Sequence, residues 1–86
     1  DLTGHGVGRE IHEEPNVPNY HASWMTERFT KGLVVTVEPI ISAGTNHYQE
    51  LNDGWTTTTQ DGSRAAHHEH TIVITKGRPI ILTAAA

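Results

Sequence analysis

The chain has 86 residues, no cysteine, and six basic against ten acidic side chains, for a formal net charge of −4. This length allows one domain with a small core, and without cysteine neither a disulfide nor thiolate-bound zinc can stabilise it. The scattered basic residues argue against nucleic-acid binding, and no apolar run reaches the roughly 20 residues of a membrane span. We therefore expect a soluble, cytoplasmic protein with neither nucleic acid nor membrane as a partner.

The first informative stretch is GHGVGREIHEEP, residues 4–15. His5 and His12 are separated by an odd number of positions, so a regular strand would send their side chains to opposite faces of a sheet. Glycine permits backbone geometries that other residues avoid, and it often marks a bulge. We therefore predict a β-bulge between His5 and His12 that brings both rings to one side.

The rest of the chain predicts antiparallel strands joined by long loops. Strand-like composition occurs in four stretches: 33–40, 54–63, 70–76 and 79–83. The last two flank a short turn at Gly77 and are expected to pair as a hairpin. Residues 42–53 resemble a loop, the Asp61-Gly62 pair resembles a turn that closes the threonine-rich strand, and 21–29 has at most one short turn of helix.

Strand alternation places an acidic residue at one end of each of two predicted strands. In 33–38, Glu38 shares a face with Val34 and Thr36, and in 69–75 Glu69 shares a face with Thr71 and Val73. Each glutamate lies on the more polar face of its strand. Two carboxylates from separate strands can therefore converge on one site.

His5, Glu38 and Glu69 together would form a metal-ligating set. One imidazole with two carboxylates suits Mn, Fe, Co or Zn rather than copper(I) or an iron–sulfur cluster. The alternative is an ordinary β domain with surface carboxylates. The HHEH run at 67–70 lacks the helical spacing of a zinc protease signature, and we expect three other histidines to be solvent-exposed surface residues: His21, His47 and His68.

Five stretches, in order, resemble the C-terminal part of the type I methionine aminopeptidase family, a branch of the pita-bread metallopeptidases: GHGVGREIHEEPNVPNY, GLVVTVEPII, DGWT, DGSRAAHHEHTIVIT and PIILT. The resemblance covers nearly the whole chain. It implies an α+β fold, in which residues 1–86 are a single C-terminal fragment of the catalytic domain, mostly antiparallel β with long loops. DGWT and the Glu-His-Thr around Glu69 favour the methionine branch over proline-specific relatives.

The resemblance also implies a function, the removal of N-terminal methionine from nascent proteins, with two divalent metal ions (Co, Mn, Fe or Zn) in the complete enzyme. It assigns metal ligation to His5, Glu38 and Glu69, and it makes Glu38 the general base as well. His12 corresponds to the catalytic contact to the scissile amide. Residues that line the methionine pocket would be Ile11, at a position where many members carry Phe, and Trp55.

In the family, two further aspartate ligands precede the position of Asp1. We therefore expect the isolated fragment to be inactive, to bind metal weakly or not at all, and to expose apolar surface that either meets the missing N-terminal half or drives homo-oligomerisation. Two alternatives stay open. One is a non-catalytic binding module of the pita-bread fold, and the other is a relative of the proline-specific aminopeptidases.

Overall fold

A computed structural model describes residues 3–85, and these residues form strands and turns with no helix. The nine strands are β1 (Gly4–Gly6), β2 (Glu13–Val17), β3 (Val34–Val37), β4 (Ile40–Ser42), β5 (Tyr48–Glu50), β6 (Thr57–Thr59), β7 (Ala65–His67), β8 (His70–Val73) and β9 (Ile80–Ile81). The prediction of a mostly antiparallel β chain is confirmed. The α+β class implied by the resemblance is not what residues 3–85 form.

Five of the strands make one antiparallel sheet in the order β2-β1-β3-β8-β9. Central β3 is the best-protected strand, with Val35 fully buried on one face and Thr36 only 2% exposed on the other. Val35 is the one buried apolar side chain among the residues that the structure describes. Such a small core leaves the fold little stability in reserve.

A long two-stranded ribbon runs from Leu33 to Leu51 and returns from Thr56 to Ile74. The pairs β3–β8, β4–β7 and β5–β6 have the same register. The segments that separate one pair from the next contain equal numbers of residues in the outgoing and the returning strand of the ribbon. Backbone hydrogen bonds extend the register beyond the strands, for example between Leu33 and Ile74 and between Leu51 and Thr56. Three short ladders are therefore segments of a single hairpin.

The ribbon corrects the prediction of a loop at 42–53. Residues 42–53 are not a loop, because they contain β5, which pairs with β6. The chain reverses at Asn52–Trp55, where Gly54 has a φ of +76° and Asp53 accepts the backbone N–H groups of Trp55 and Thr56. The turn predicted at Asp61-Gly62 is confirmed: it closes β6, the Gly62 N–H donates to the Thr59 carbonyl, and Gly62 has a φ of +75°. Asp53-Gly54 and Asp61-Gly62 have the same sequence pattern, and in both the aspartate side chain accepts backbone N–H groups of the turn.

Of the other two expectations about secondary structure, the hairpin is confirmed and the turn of helix is not. The hairpin predicted for 70–76 and 79–83 is confirmed as β8–β9. The turn of helix considered for 21–29 is absent, and a single turn closed by the Met25 N–H and the Ala22 carbonyl takes its place. Across the described part of the chain, no helix has the length and apolarity needed to cross a membrane.

Candidate metal centre

The first interruption of the ribbon brings Glu38 and Glu69 opposite each other. On one side of them Val37 pairs with His70 in the β3–β8 ladder, and on the other the His68 N–H donates to the Pro39 carbonyl. Pro39 has no N–H of its own, so the regular ladder cannot continue through it. The two carboxylates therefore face each other where the strands stop pairing regularly.

His5 reaches the same place from the neighbouring strand β1. Its backbone N–H donates to Thr36 Oγ1 at 3.0 Å, and the Thr36 hydroxyl donates in turn to Glu38 Oε2 at 2.8 Å. The His5 Nε2 atom lies 3.3 Å from the same carboxylate oxygen. Thr36 thus links the ligand candidates of two adjacent strands through one buried hydroxyl.

The ring of His5 is oriented as a metal ligand. Its Nδ1 lies 3.0 Å from the Gly6 carbonyl, which only accepts hydrogen bonds, so Nδ1 carries a proton. In the neutral ring Nε2 then carries only a lone pair and is an acceptor. It faces Glu38 Oε2, which is also an acceptor. Two acceptors at this distance need a cation between them or a proton on the ring. A backbone carbonyl on the second nitrogen is the usual support of a metal-binding histidine.

Ligand atoms of His5, Glu38 and Glu69 all lie within 4.8 Å of one another. Two atoms bound to one ion at about 2.0–2.2 Å lie at most about 4.4 Å apart, so small side-chain adjustments close the set on a single ion. The side chains of His5 and Glu38 are 12% and 16% exposed, whereas that of Glu69 is 43% exposed. The residues fit a divalent cation, and the site opens to solvent on the Glu69 side.

His12 lies beside His5, with ring centroids 4.2 Å apart. The predicted proximity is confirmed, although a bulge alone does not explain it. The register of β1 against β2 shifts between His5 and Gly6, where β2 has two extra residues. His12 lies outside both strands, in the connection that leads the chain from β1 to β2. The parity argument therefore does not apply to His12, because it is not in a strand.

Glu38 borders two open clefts. One, of about 460 Å³, is lined by residues that include His5, His12 and Glu13. The other, of about 580 Å³, extends along the ribbon past Tyr48 and His67. A molecule in either cleft can reach the carboxylate.

The two predicted pocket residues lie apart from these clefts. Neither Ile11 nor Trp55 lines either of them, and their side chains are 74% and 87% exposed. Trp55 is held at the tip of the ribbon by Asp53. Hydrogen bonds from the Thr56 hydroxyl and then from the backbone N–H groups of Thr56 and Trp55 lower the pKa of Asp53 to about 2.

Thr36 is the site residue that sequence analysis missed. Alternation places it on the same strand face as Glu38, but its hydroxyl contact with His5 depends on the pairing of β1 with β3.

We expect Thr36→Val to lower the free energy of unfolding by about 1–3 kcal/mol, because the His5 N–H loses its buried acceptor. Urea unfolding measures this, and Thr36→Ser, which keeps the hydroxyl, is expected to recover at least half of the loss. Equal stability of the valine variant and the parent chain would contradict the role of the hydroxyl.

Comparison with known proteins gives a consistent family. The sequence model of "Metallopeptidase family M24" matches residues 1–76. The chain is 51% identical over 82 residues to a methionine aminopeptidase of Aquifex aeolicus, covering 93% of this chain and 32% of the relative. It is also 51% identical over 83 residues to methionine aminopeptidase 2 of Bacillus subtilis, covering 95% and 33%.

Solved structures agree. The crystal structure of a methionine aminopeptidase from Thermotoga maritima superimposes with a TM-score of 0.91 at 47% identity, covering 99% of this chain and 34% of that one. A methionine aminopeptidase from Rickettsia prowazekii gives a TM-score of 0.90 at 42% identity. The chain thus spans about a third of the length of the relatives that it matches.

Proposed function

Because the chain belongs to metallopeptidase family M24 and is similar to methionine aminopeptidases along nearly its whole length, we propose that residues 1–86 are the C-terminal part of a methionine aminopeptidase catalytic domain. Its substrates are peptides with an N-terminal methionine. The observation that carries the proposal is the convergence of His5, Glu38 and Glu69 at the break in the ribbon.

Each of these side chains has a distinct task. His5 offers a single lone pair, so it serves one ion, while the two oxygens of Glu69 can serve two. Bound divalent ions would supply Lewis acidity that makes water a nucleophile near neutral pH. Glu38 is placed to accept the proton of that water and to hand it on, because its Oε2 already accepts the Thr36 hydrogen bond and keeps the carboxylate in position.

His12 would stabilise the substrate oxygen. Its ring lies next to that of His5 and lines the same cleft as Glu38. An imidazole N–H aimed at the carbonyl that follows the methionine stabilises the negative charge that develops there. Ile11 and Trp55 are proposed to contact the methionine side chain, and their exposure leaves both available for such a contact.

Three ligands are too few for two ions. A dinuclear centre needs further carboxylates, and we propose that these come from the part of the catalytic domain that the relatives have and that residues 1–86 do not match. The isolated chain would then hold at most one ion at this centre and would not turn over substrate. A non-catalytic binding module would not need the convergent ligands, and a proline-specific aminopeptidase would not account for the similarity to methionine aminopeptidases.

The exposed apolar residues are consistent with a missing partner. Ile41, Trp24 and Trp55 are each more than two-thirds exposed, and several other large apolar side chains are also at the surface. Exposed apolar side chains mark an interface where they gather into a patch and do not stand singly. We propose that the remainder of the catalytic domain covers it, and that in isolation the chain self-associates through it.

A chimera tests the function. The chain would be fused to the two-thirds of the Aquifex aeolicus relative that it does not match, and both the chimera and the isolated chain would be assayed with Mn²⁺ or Co²⁺ and a Met-Gly-X peptide. We expect methionine release by the chimera only, a loss of at least about a hundredfold in Glu38→Gln, and no change in Glu50→Gln on the exposed strand β5. Robust release by the isolated chain would refute the need for further ligands, and a folded, metal-loaded but inactive chimera would refute the proposed activity.

A further inference from the structure

The HHEH run contains a histidine pair that the proposed centre does not use. His68 and His70 flank Glu69. His70 pairs with Val37 in β8, so alternation within that strand directs its side chain away from the face of Thr36 and Thr71, and the ring of His68 meets it there. Their Nε2 atoms are 3.1 Å apart, and their rings meet edge to face with centroids 4.7 Å apart. His68 is exposed, as the sequence predicted, and His70 is half-buried.

This separation is that of two nitrogens on one metal ion. With Zn–N bonds of about 2.0–2.1 Å and angles between a right angle and a tetrahedral one, two imidazole nitrogens lie about 2.9–3.4 Å apart. The observed 3.1 Å falls within that interval. Without an ion this contact is a hydrogen bond in which one ring donates to the other, so an ion would take the place of the shared proton. The solvent-exposed side of the pair leaves room for water ligands.

Hydrogen bonds fix the backbone of His68 and the second ring nitrogen of His70. The His68 N–H donates to the Pro39 carbonyl at 3.2 Å, which anchors the strand at this position. His70 Nδ1 lies 2.7 Å from Thr83 Oγ1, and the same oxygen accepts the Thr71 N–H at 3.0 Å. A hydroxyl oxygen has two lone pairs, so it can accept Nδ1–H as well and leave Nε2 of His70 free for a metal. Such a second hydrogen bond orients a ligating histidine and strengthens it as a ligand.

We propose that His68 and His70 form a second cation site, which binds one divalent transition-metal ion of the zinc class on the face of the sheet opposite His5, Glu38 and Glu69. Two imidazoles select Zn²⁺, Ni²⁺ or Cu²⁺ over Mg²⁺ or Ca²⁺, which prefer oxygen ligands. The site does not depend on the proposed aminopeptidase function, because neither histidine belongs to that centre.

Titration calorimetry with ZnCl₂ separates the two sites. In His5→Ala, which disables the first centre, we expect one remaining binding event of micromolar affinity. Adding His68→Gln is expected to weaken it by at least about tenfold, because the loss of an outer-shell partner alone costs 10–100-fold. The matched control is His47→Gln in the same background, which changes another exposed histidine and is expected to leave the affinity unchanged.

A measurement on the unaltered chain guards against variants that fail to fold. Substoichiometric Ni²⁺ is expected to broaden the imidazole NMR signals of His68 and His70 before those of His21 and His47. Equal broadening of all four signals, or equal zinc affinity with and without His68, would overturn the proposal.

Discussion

Replacing Glu69 with glutamine is expected to weaken the binding of Mn²⁺ or Co²⁺ to the chain by at least about a hundredfold. The amide keeps the shape of the side chain but removes one of the two negative charges at the site. Outer-shell partners of a metal are already worth 10–100-fold in affinity, and a direct ligand is worth at least as much. Titration calorimetry at neutral pH measures the change.

The control for this variant is Glu50→Gln, which makes the same chemical change on the exposed strand β5. Because Glu69 is 43% exposed and bonds to no backbone group that the fold requires, its loss should leave the far-ultraviolet circular dichroism spectrum unchanged. If the glutamine variant and the parent chain bind Mn²⁺ equally, Glu69 is not a ligand.

A second large effect is expected from Gly6→Ala, which should leave the chain mostly unfolded at 25 °C. Gly6 is buried in β1, and an added Cβ would collide with the carbonyl oxygens of Glu14 and Glu13. Both obstacles are backbone atoms of the paired strand β2, so relief requires that β1 and β2 separate. Overpacking of this kind costs about 1–3 kcal/mol or more. That is a large fraction of the stability of a fold in which residues 3–85 include one buried apolar side chain.

Gly77→Ala is the matched control. No atom lies within 4 Å of the added Cβ, and Gly77 is not among the glycines with positive φ. We expect its free energy of unfolding, measured by urea denaturation, to stay within about 0.5 kcal/mol of the parent value. A Gly6→Ala chain as stable as Gly77→Ala would show that β1 and β2 do not approach as closely as the structure indicates.

Strand alternation was enough to predict which strand face carries each glutamate, and therefore that the two could converge. Glu38 shares a face with Thr36 because the two are two positions apart, and the contact between their side chains follows directly. Glu69 follows the same rule in the residue before β8. The shared face of Glu38 and Thr36 depends only on local geometry, whereas the meeting of Glu38 with Glu69 also depends on the pairing of β3 with β8.

Features that depend on long-range pairing were not accessible in this way. The continuous register of the ribbon places Tyr48 against Thr59, although residues 42–53 have the composition of a loop. The contact of His12 with His5 depends on the return of the chain after β1, and the bridging role of Thr36 depends on which strand lies beside it. Register is set by interactions between distant segments, so periodicity within one segment does not reveal it.

The most direct test of the metal centre is an anomalous difference map from a crystal of the cobalt-loaded chain, recorded at the cobalt absorption edge. We predict a peak about 2.0–2.2 Å from His5 Nε2, with carboxylate oxygens of Glu38 and Glu69 completing the protein ligands. A cobalt-loaded crystal whose map shows no peak between these three residues, whether or not cobalt is bound at His68 and His70, would contradict the account.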